Sequence, residues 1–207
     1  MKRIVYFVSE KSFNLLWQKL FTKIDLFGIL KDIKQELIKE IYLCQEVSGG
    51  WRMEIRLFKP EDADEVALLV AKTLRISNSK DYSPEYIEDN ISSHSAEVLM
   101  ERTAWGHMYV VCDQAKIVGC GAIAGYWGST TESILLTIFV LPEYQGRGIG
   151  SLIIRTLEQD EYFLRASRIE IPASITAVDF SRKMGYDYKN GIAELDEEQL
   201  YRLEKFR

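Results

Sequence analysis

The stretch FVLPEYQGRGIGSLII, Phe139 to Ile154, decides how the chain is read. An apolar run meets Pro142, and three glycines follow at alternate positions, Gly146, Gly148 and Gly150, with Arg147 between the first two. The sequence then turns apolar again. Glycine loses more conformational freedom on folding than other residues, so this density implies a special backbone geometry or a close approach. A helix that opens directly after a strand presents its first, unpaired N–H groups and the positive end of its dipole, which together favour an anion. Glycines remove the Cβ atoms that would hold a phosphate away from those groups, and Arg147 adds a positive charge. The stretch therefore reads as a pyrophosphate cradle, since a plain turn needs only one or two glycines. A Walker A loop requires Gly-Lys-Ser/Thr, and no lysine is present. A dinucleotide fingerprint spaces its glycines Gly-x-Gly-x-x-Gly near the first strand, whereas these run Gly-x-Gly-x-Gly late in the chain.

On either side of the cradle the pattern is that of an α/β domain. Ser133–Val140 is a nearly all-apolar strand, as one covered on both faces would be. Before it, Met108–Cys112 and Ile117–Ala124 form a hairpin around Asp113–Lys116. Ile55–Phe58 is a strand leading into a helix opened by Pro60-Glu61-Asp62, and Ser83-Pro84 caps another. After the cradle come a helix over Ile149–Leu164, the strand RIEIPA, a helix over Ile175–Met184 closed by Gly185, and a last strand. Residues 10–47 carry apolar residues at helical spacing and read as one helix, or as two divided at Gly28, and Ser48–Arg52 ends that segment. This gives a helical extension over 1–52 and a domain over 53–207. An alternative is that translation starts naturally at Met53, with the codons of SGGWRM serving as a ribosome-binding site.

The chain has 207 residues, 47% hydrophobic and 28% charged, enough for a real core. Its net charge of −5 argues against a nucleic-acid surface. Residues 1–50 hold 8 basic and 6 acidic groups, leaving 18 and 25 in the remainder. That acidic body mildly favours a cationic ligand such as an amine. Cys44, Cys112 and Cys120 form no CxxC pattern and suggest neither a disulfide framework nor a metal site. The apolar run at the start is too short for a secretory signal and nothing reaches membrane-spanning length, so a cytoplasmic protein without membrane partners is expected.

QGRGIG, Gln145 to Gly150, resembles the Q/R-x-x-G-x-G/A motif of the GNAT superfamily of acetyl-CoA-dependent N-acetyltransferases. The strand before it and ASITAVDFSRKMGYDY after the next strand agree, and the resemblance spans about Ile55 to Phe206. DYSPEYI (81–87) and ASITA (173–177) look like a bacterial subgroup of the family. The resemblance implies a mixed, mostly antiparallel twisted sheet flanked by helices. It implies acetyl-CoA as donor, no metal, and direct attack by the amine of a small molecule or a peptide. It also leaves room for a homodimer. The strand residues Ile138, Phe139 and Val140 would run along the pantetheine. Backbone N–H groups over Gln145, Gly146, Arg147, Gly148, Ile149, Gly150 and Ser151 would hold the pyrophosphate, and the Val140 N–H would stabilise the tetrahedral oxyanion.

Two departures bear on catalysis. The family often carries an asparagine and, as acid for the leaving thiolate, a tyrosine; Ser174 and Ser181 stand in those places, and a serine hydroxyl is a poor general acid. Tyr186 and Tyr188 are alternatives, although Tyr186 fits core packing. For the base, Glu132 is a candidate because period-two alternation places it on one face with Ile134, Leu136, Ile138 and Val140. Glu170 is the second candidate. His94 and His107 are the only imidazoles and read as surface or structural residues. Tyr126 and Trp127 either line an acceptor pocket or pack at an edge. Alternatives to N-acetyl transfer are an acyl-CoA-binding regulatory module without turnover, and transfer of a longer acyl group.

Overall fold

The computed structural model describes residues 45–47 and 51–207. Strands β2 (Trp51–Leu57), β3 (Gly106–Asp113), β4 (Lys116–Gly125), β5 (Glu132–Val140), β6 (Arg168–Ala173), β7 (Asp187–Tyr188) and β8 (Tyr201–Phe206) form one sheet in the order β2-β3-β4-β5-β6-β8-β7. A short strand β1, Gln45–Val47, pairs with the start of β2, Gln45 standing opposite Met53. The helix expected over 10–47 lies outside the described residues except at 45–47, where the chain is extended. Those residues join a ladder whose hydrogen bonds override the local helical pattern.

Every pairing is antiparallel except β5 with β6. The hairpin of β3 and β4 turns at Asp113–Lys116, where Gln114 takes a left-handed φ of 55°. On one face of the sheet α4 (Ile149–Leu157) lies across β4 and β5. The opposite face carries α1 (Ala63–Thr73), a π-helical turn over Leu74–Asn78, α2 (Pro84–Ser92) and α3 (Ala96–Arg102). The core between these layers is aliphatic, built from Met53, Val66, Val110, Ile123, Leu135 and Ile153, each fully buried. Ser83 caps α2 by accepting the Tyr86 amide, with Pro84 in the first helical position as expected.

The single helix expected over Ile149–Leu164 is two. It stops at Leu157, and α5 (Glu161–Arg165) restarts after Asp160. Asp160 is almost fully enclosed. Its carboxylate accepts from the Tyr162 amide, from Tyr109 Oη at 2.8 Å, and pairs with His107 Nδ1 at 2.8 Å. A carboxylate with three partners makes a better cap than a continuing turn. The last helix, α6 (Val178–Lys183), begins three residues later than expected, and Gly185 ends it with φ 89°. Among the described residues, no helix is long and apolar enough to cross a membrane.

Candidate active site

β5 and β6 run side by side only at Glu132–Arg168, Ser133–Ile169 and Ile134–Glu170. Beyond Ile134 the strands part: β5 continues along β4 and β6 continues along β8. From Leu135 to Val140 one edge of β5 is thus left facing a notch. The direction of its backbone groups follows from the ladder. Leu141 N donates to Val118 O at 2.9 Å, so that pair is hydrogen-bonded, and the neighbouring pair, Val140 with Gly119, is not. The N–H of Val140 therefore points away from β4, into the notch.

The side chains of β5 do not alternate evenly. Its register against β4 shifts by one between Cys120–Phe139 and Ala122–Leu136, and Thr137 holds a left-handed φ of 54°. This is a β-bulge, and it reverses the phase of the strand. Glu132, Ile134 and Leu136 share the α3 face with Thr137, which bonds Arg102, and with Phe139, whose ring meets His94 edge-on at 5.5 Å. Ile138 instead lies by Gly121 on the α4 face, and Val140 joins that face opposite Gly119. The expectation that Ile138 and Val140 share a face with Glu132 is corrected by this one extra residue.

At the far end of the strand, Pro142–Tyr144 make one tight turn and α4 starts at Ile149 with Gly148 as its cap. Gly146 (φ 74°) and Gly148 (φ 86°) occupy the left-handed region, where a Cβ would be strained. Leu152 N is bonded to Gly148 O, so the amides of Ile149, Gly150 and Ser151 form the first helical turn, which has no intrahelical acceptor. Gly150 is glycine for another reason. A Cβ there would come within 2.9 Å of the Phe180 ring of α6, so its smallness lets α6 pack against α4. Ile149 is buried, so only its backbone can face a ligand. The Gln145 side chain is engaged within the protein, donating to Val140 O and to Ser77 Oγ, both at 3.0 Å. Arg147 donates to Glu143 O at 2.8 Å and lies over the Tyr144 ring.

The expected proton carriers stand in constrained surroundings. Glu132 pairs with Arg168 at 3.0 Å, which holds its carboxyl below the usual range and weakens it as a base. Glu170, 1% exposed, sits where β5 and β6 part and is held by Arg168 and Lys189, each at 2.8 Å, with Arg202 at 3.7 Å. Ser181 is buried within α6, and its carbonyl accepts from Met184 and Tyr186. Tyr186 is fully enclosed, as expected, with its hydroxyl on Glu158. Tyr126 receives Arg168 and Lys189 over its ring, while Trp127 is largely exposed. The stretches DYSPEYI and ASITA meet each other. Tyr82 Oη accepts the Ile175 amide at 2.9 Å and donates to Gln199 O, and Thr176 Oγ1 donates to Asp81 at 2.8 Å. Together they fasten the start of α2 to the turn that leads into α6. Sequence reasoning missed Arg102 and Thr137; the lone polar residue within ILLTIFV was the available signal.

Residues 104–188, which include the notch, its bulge and the glycine loop, match the acetyltransferase (GNAT) domain family model. Over that segment the chain is similar to GNAT acetyltransferases. The chain is 26% identical over 134 residues to the uncharacterized N-acetyltransferase YafP of Escherichia coli K12, covering 65% of this chain and 81% of that protein. Its fold is similar to the PaiA N-acetyltransferase of Thermoplasma acidophilum, solved with coenzyme A: TM-score 0.64 at 19% identity, covering 75% and 99% of the two chains. It is also similar to a GNAT acetyltransferase of Brucella melitensis solved with acetyl-CoA, with TM-score 0.54 at 20% identity over 75% and 88%. These two likenesses show that the GNAT fold is shared.

Proposed function

We propose that the protein transfers the acetyl group of acetyl-CoA to a primary amine by direct attack. The observation that carries this reading is the notch: a free edge of β5 over Leu135–Val140 runs directly into the left-handed loop and first turn of α4. An extended pantetheine can run along Ile138, Phe139 and Val140 and pair with the backbone groups turned to the open edge, the Val140 N–H among them. The amides from Gln145 to Ser151 then meet the pyrophosphate, with the helix dipole behind them. The amine nitrogen attacks the thioester carbon, and the carbonyl oxygen takes up negative charge facing the Val140 N–H. Collapse breaks the C–S bond and expels the CoA thiolate, while the nitrogen loses its proton.

That proton goes to water rather than to Glu132 or Glu170, whose oxygens are held by arginine and lysine. The thiolate, a good leaving group, takes its proton from solvent rather than from Ser181. Cys112 and Cys120 are free and buried, consistent with a reducing, cytoplasmic setting.

Free-thiol release with acetyl-CoA and a panel of amines tests the reading, together with acetyl-CoA binding measured by calorimetry. Gly148→Ala, kept small because of the left-handed φ, is expected to raise the acetyl-CoA KM about tenfold with a cooperative melt retained. Unchanged affinity in that variant would remove the cradle from the argument. Binding without turnover on every amine would favour an acyl-CoA-binding regulatory module.

A further inference from the structure

The α3 face of the sheet holds a cation without a counter-charge. Arg102, at the end of α3, donates Nη1 to Thr137 Oγ1 at 2.6 Å and Nη2 to the Ser93 carbonyl at 3.0 Å. Both acceptors are neutral. Among the described residues no carboxylate lies within 4.0 Å of Arg102, whereas Arg56, Arg75, Arg168 and Arg202 each pair with one. Arg102 is half-buried, and this partial removal from water lowers its pKa. An anion that reached it would replace part of the lost hydration.

Its neighbours on the sheet are mostly apolar. Arg102 lines a narrow cavity with Met108, Ala122, Ala124 and Leu136, walled by the half-exposed Trp105. The cavity encloses about 10 Å³, room for one water-sized group such as a carboxylate oxygen, so it could seat the charged end of a ligand and not its body. His94, next in sequence to the Ser93 that Arg102 contacts and edge-on to Phe139, is neutral: partial burial and then the charge of Arg102 push its pKa down to about 4. Its Nδ1 lies 2.8 Å from the Asn90 carbonyl, which can only accept, so the ring proton sits on Nδ1.

The bulge gives this cluster its position. Ile138 and Val140 face α4, the side on which the glycine loop begins the helix, so the donor occupies that side of the notch. The amine must reach the thioester from the opposite face, where Leu136, Thr137 and Phe139 point. Thr137 precedes Val140 by three residues, at most about 10 Å of strand.

We propose that Arg102 binds a carboxylate of the acceptor, which makes the substrate class an amine that also bears a carboxylate. This rests on the acetyl-transfer reading of the same site and names its acceptor. A guanidinium presents two parallel N–H groups that fit a carboxylate in a bidentate pair. Replacing that carboxylate by an amide leaves the half-buried charge unpaired, and a site built around the ion pair discriminates against the amide.

The test compares α-, β- and γ-amino acids and dipeptides with their C-terminal amides. Two readouts are taken: thiol release with acetyl-CoA, and calorimetric binding to the CoA-loaded protein, which needs no turnover. Acids are expected to exceed the matched amides about 100-fold in kcat/KM and to bind more tightly. Arg102→Gln should abolish the difference without changing acetyl-CoA affinity, and Arg102→Lys should retain part of it. Amides that bind and react as well as acids in the wild-type protein would overturn the proposal and leave acetyl transfer standing. No acid in the panel binding better than its amide would overturn it equally. Acids that bind through Arg102 without thiol release would support the carboxylate site and overturn the transfer reading instead.

Discussion

At the scale of single residues, His94 has the most readable consequence. Its folded pKa of about 4 lies below the ordinary 6.5, first because it is buried and then because Arg102 stands beside it. The unfolded chain therefore binds the extra proton first as pH falls. Stability carried by the neutral ring is fully present above pH 6.5 and is lost as pH drops toward 4. A loss of the order of 2 kcal/mol is expected over that window. His94→Gln should flatten this limb; melting profiles at pH 7 and pH 4.5 that fall equally in parent and variant would contradict the assignment. The histidine was visible in the sequence as a helix-associated residue, but its environment was not. Phe139 and Arg102 come to it from 45 positions ahead and 8 positions ahead, and no local pattern records such contacts. Gly150 makes the same point. Its place in the motif was plain, yet the ring that demands a glycine there belongs to α6.

At the scale of elements, α4 is seated on the two glycines of β4. A Cβ on Gly121 would stand 2.3 Å from Ile153 Cγ2, and one on Gly119 would stand 3.1 Å from Ile149 and Ile153. Gly121→Ala should destabilise the fold by about 2 kcal/mol by pushing α4 off the sheet. The double variant Gly121→Ala with Ile153→Ala should recover part of that loss, as read by denaturant midpoints. If the single variant melts like the parent, the helix does not rest there. Strand and helix identities were largely legible in the chain, because apolar alternation and Ser-Pro or Gly ends are local signals. The phase of β5 was not. Thr137 enters the left-handed region without a glycine to announce it, so a strict period of two carried Ile138 and Val140 to the wrong face. The break at Asp160 was equally hidden, since its partners His107 and Tyr109 come from β3.

At the scale of the whole molecule, three strands are joined through one guanidinium. Arg168 of β6 reaches Glu132 of β5, Glu170 of its own strand and Glu204 of β8. It thereby holds β5 and β6 together just before they separate. Arg168→Leu leaves Glu170 enclosed with one fewer cation and is expected to cost about 3–5 kcal/mol. Adding Glu170→Gln to Arg168→Leu should recover part of the loss by removing that buried charge, and thermal melts of the two variants decide it. A single variant as stable as the parent would show that the network is not what closes the base of the notch.

The alternation of backbone groups along β5 has a consequence in time as well as in space. Leu141 already gives its amide proton to Val118, and Phe139, in register with Cys120, is of the same set. Val140 between them is turned outward. If a bound ligand takes up the open side, deuterium uptake at the Val140 amide should slow markedly while its two neighbours keep their free-protein rates. One strand would then report occupancy as a single slowed site between two that stay the same, without any reaction taking place.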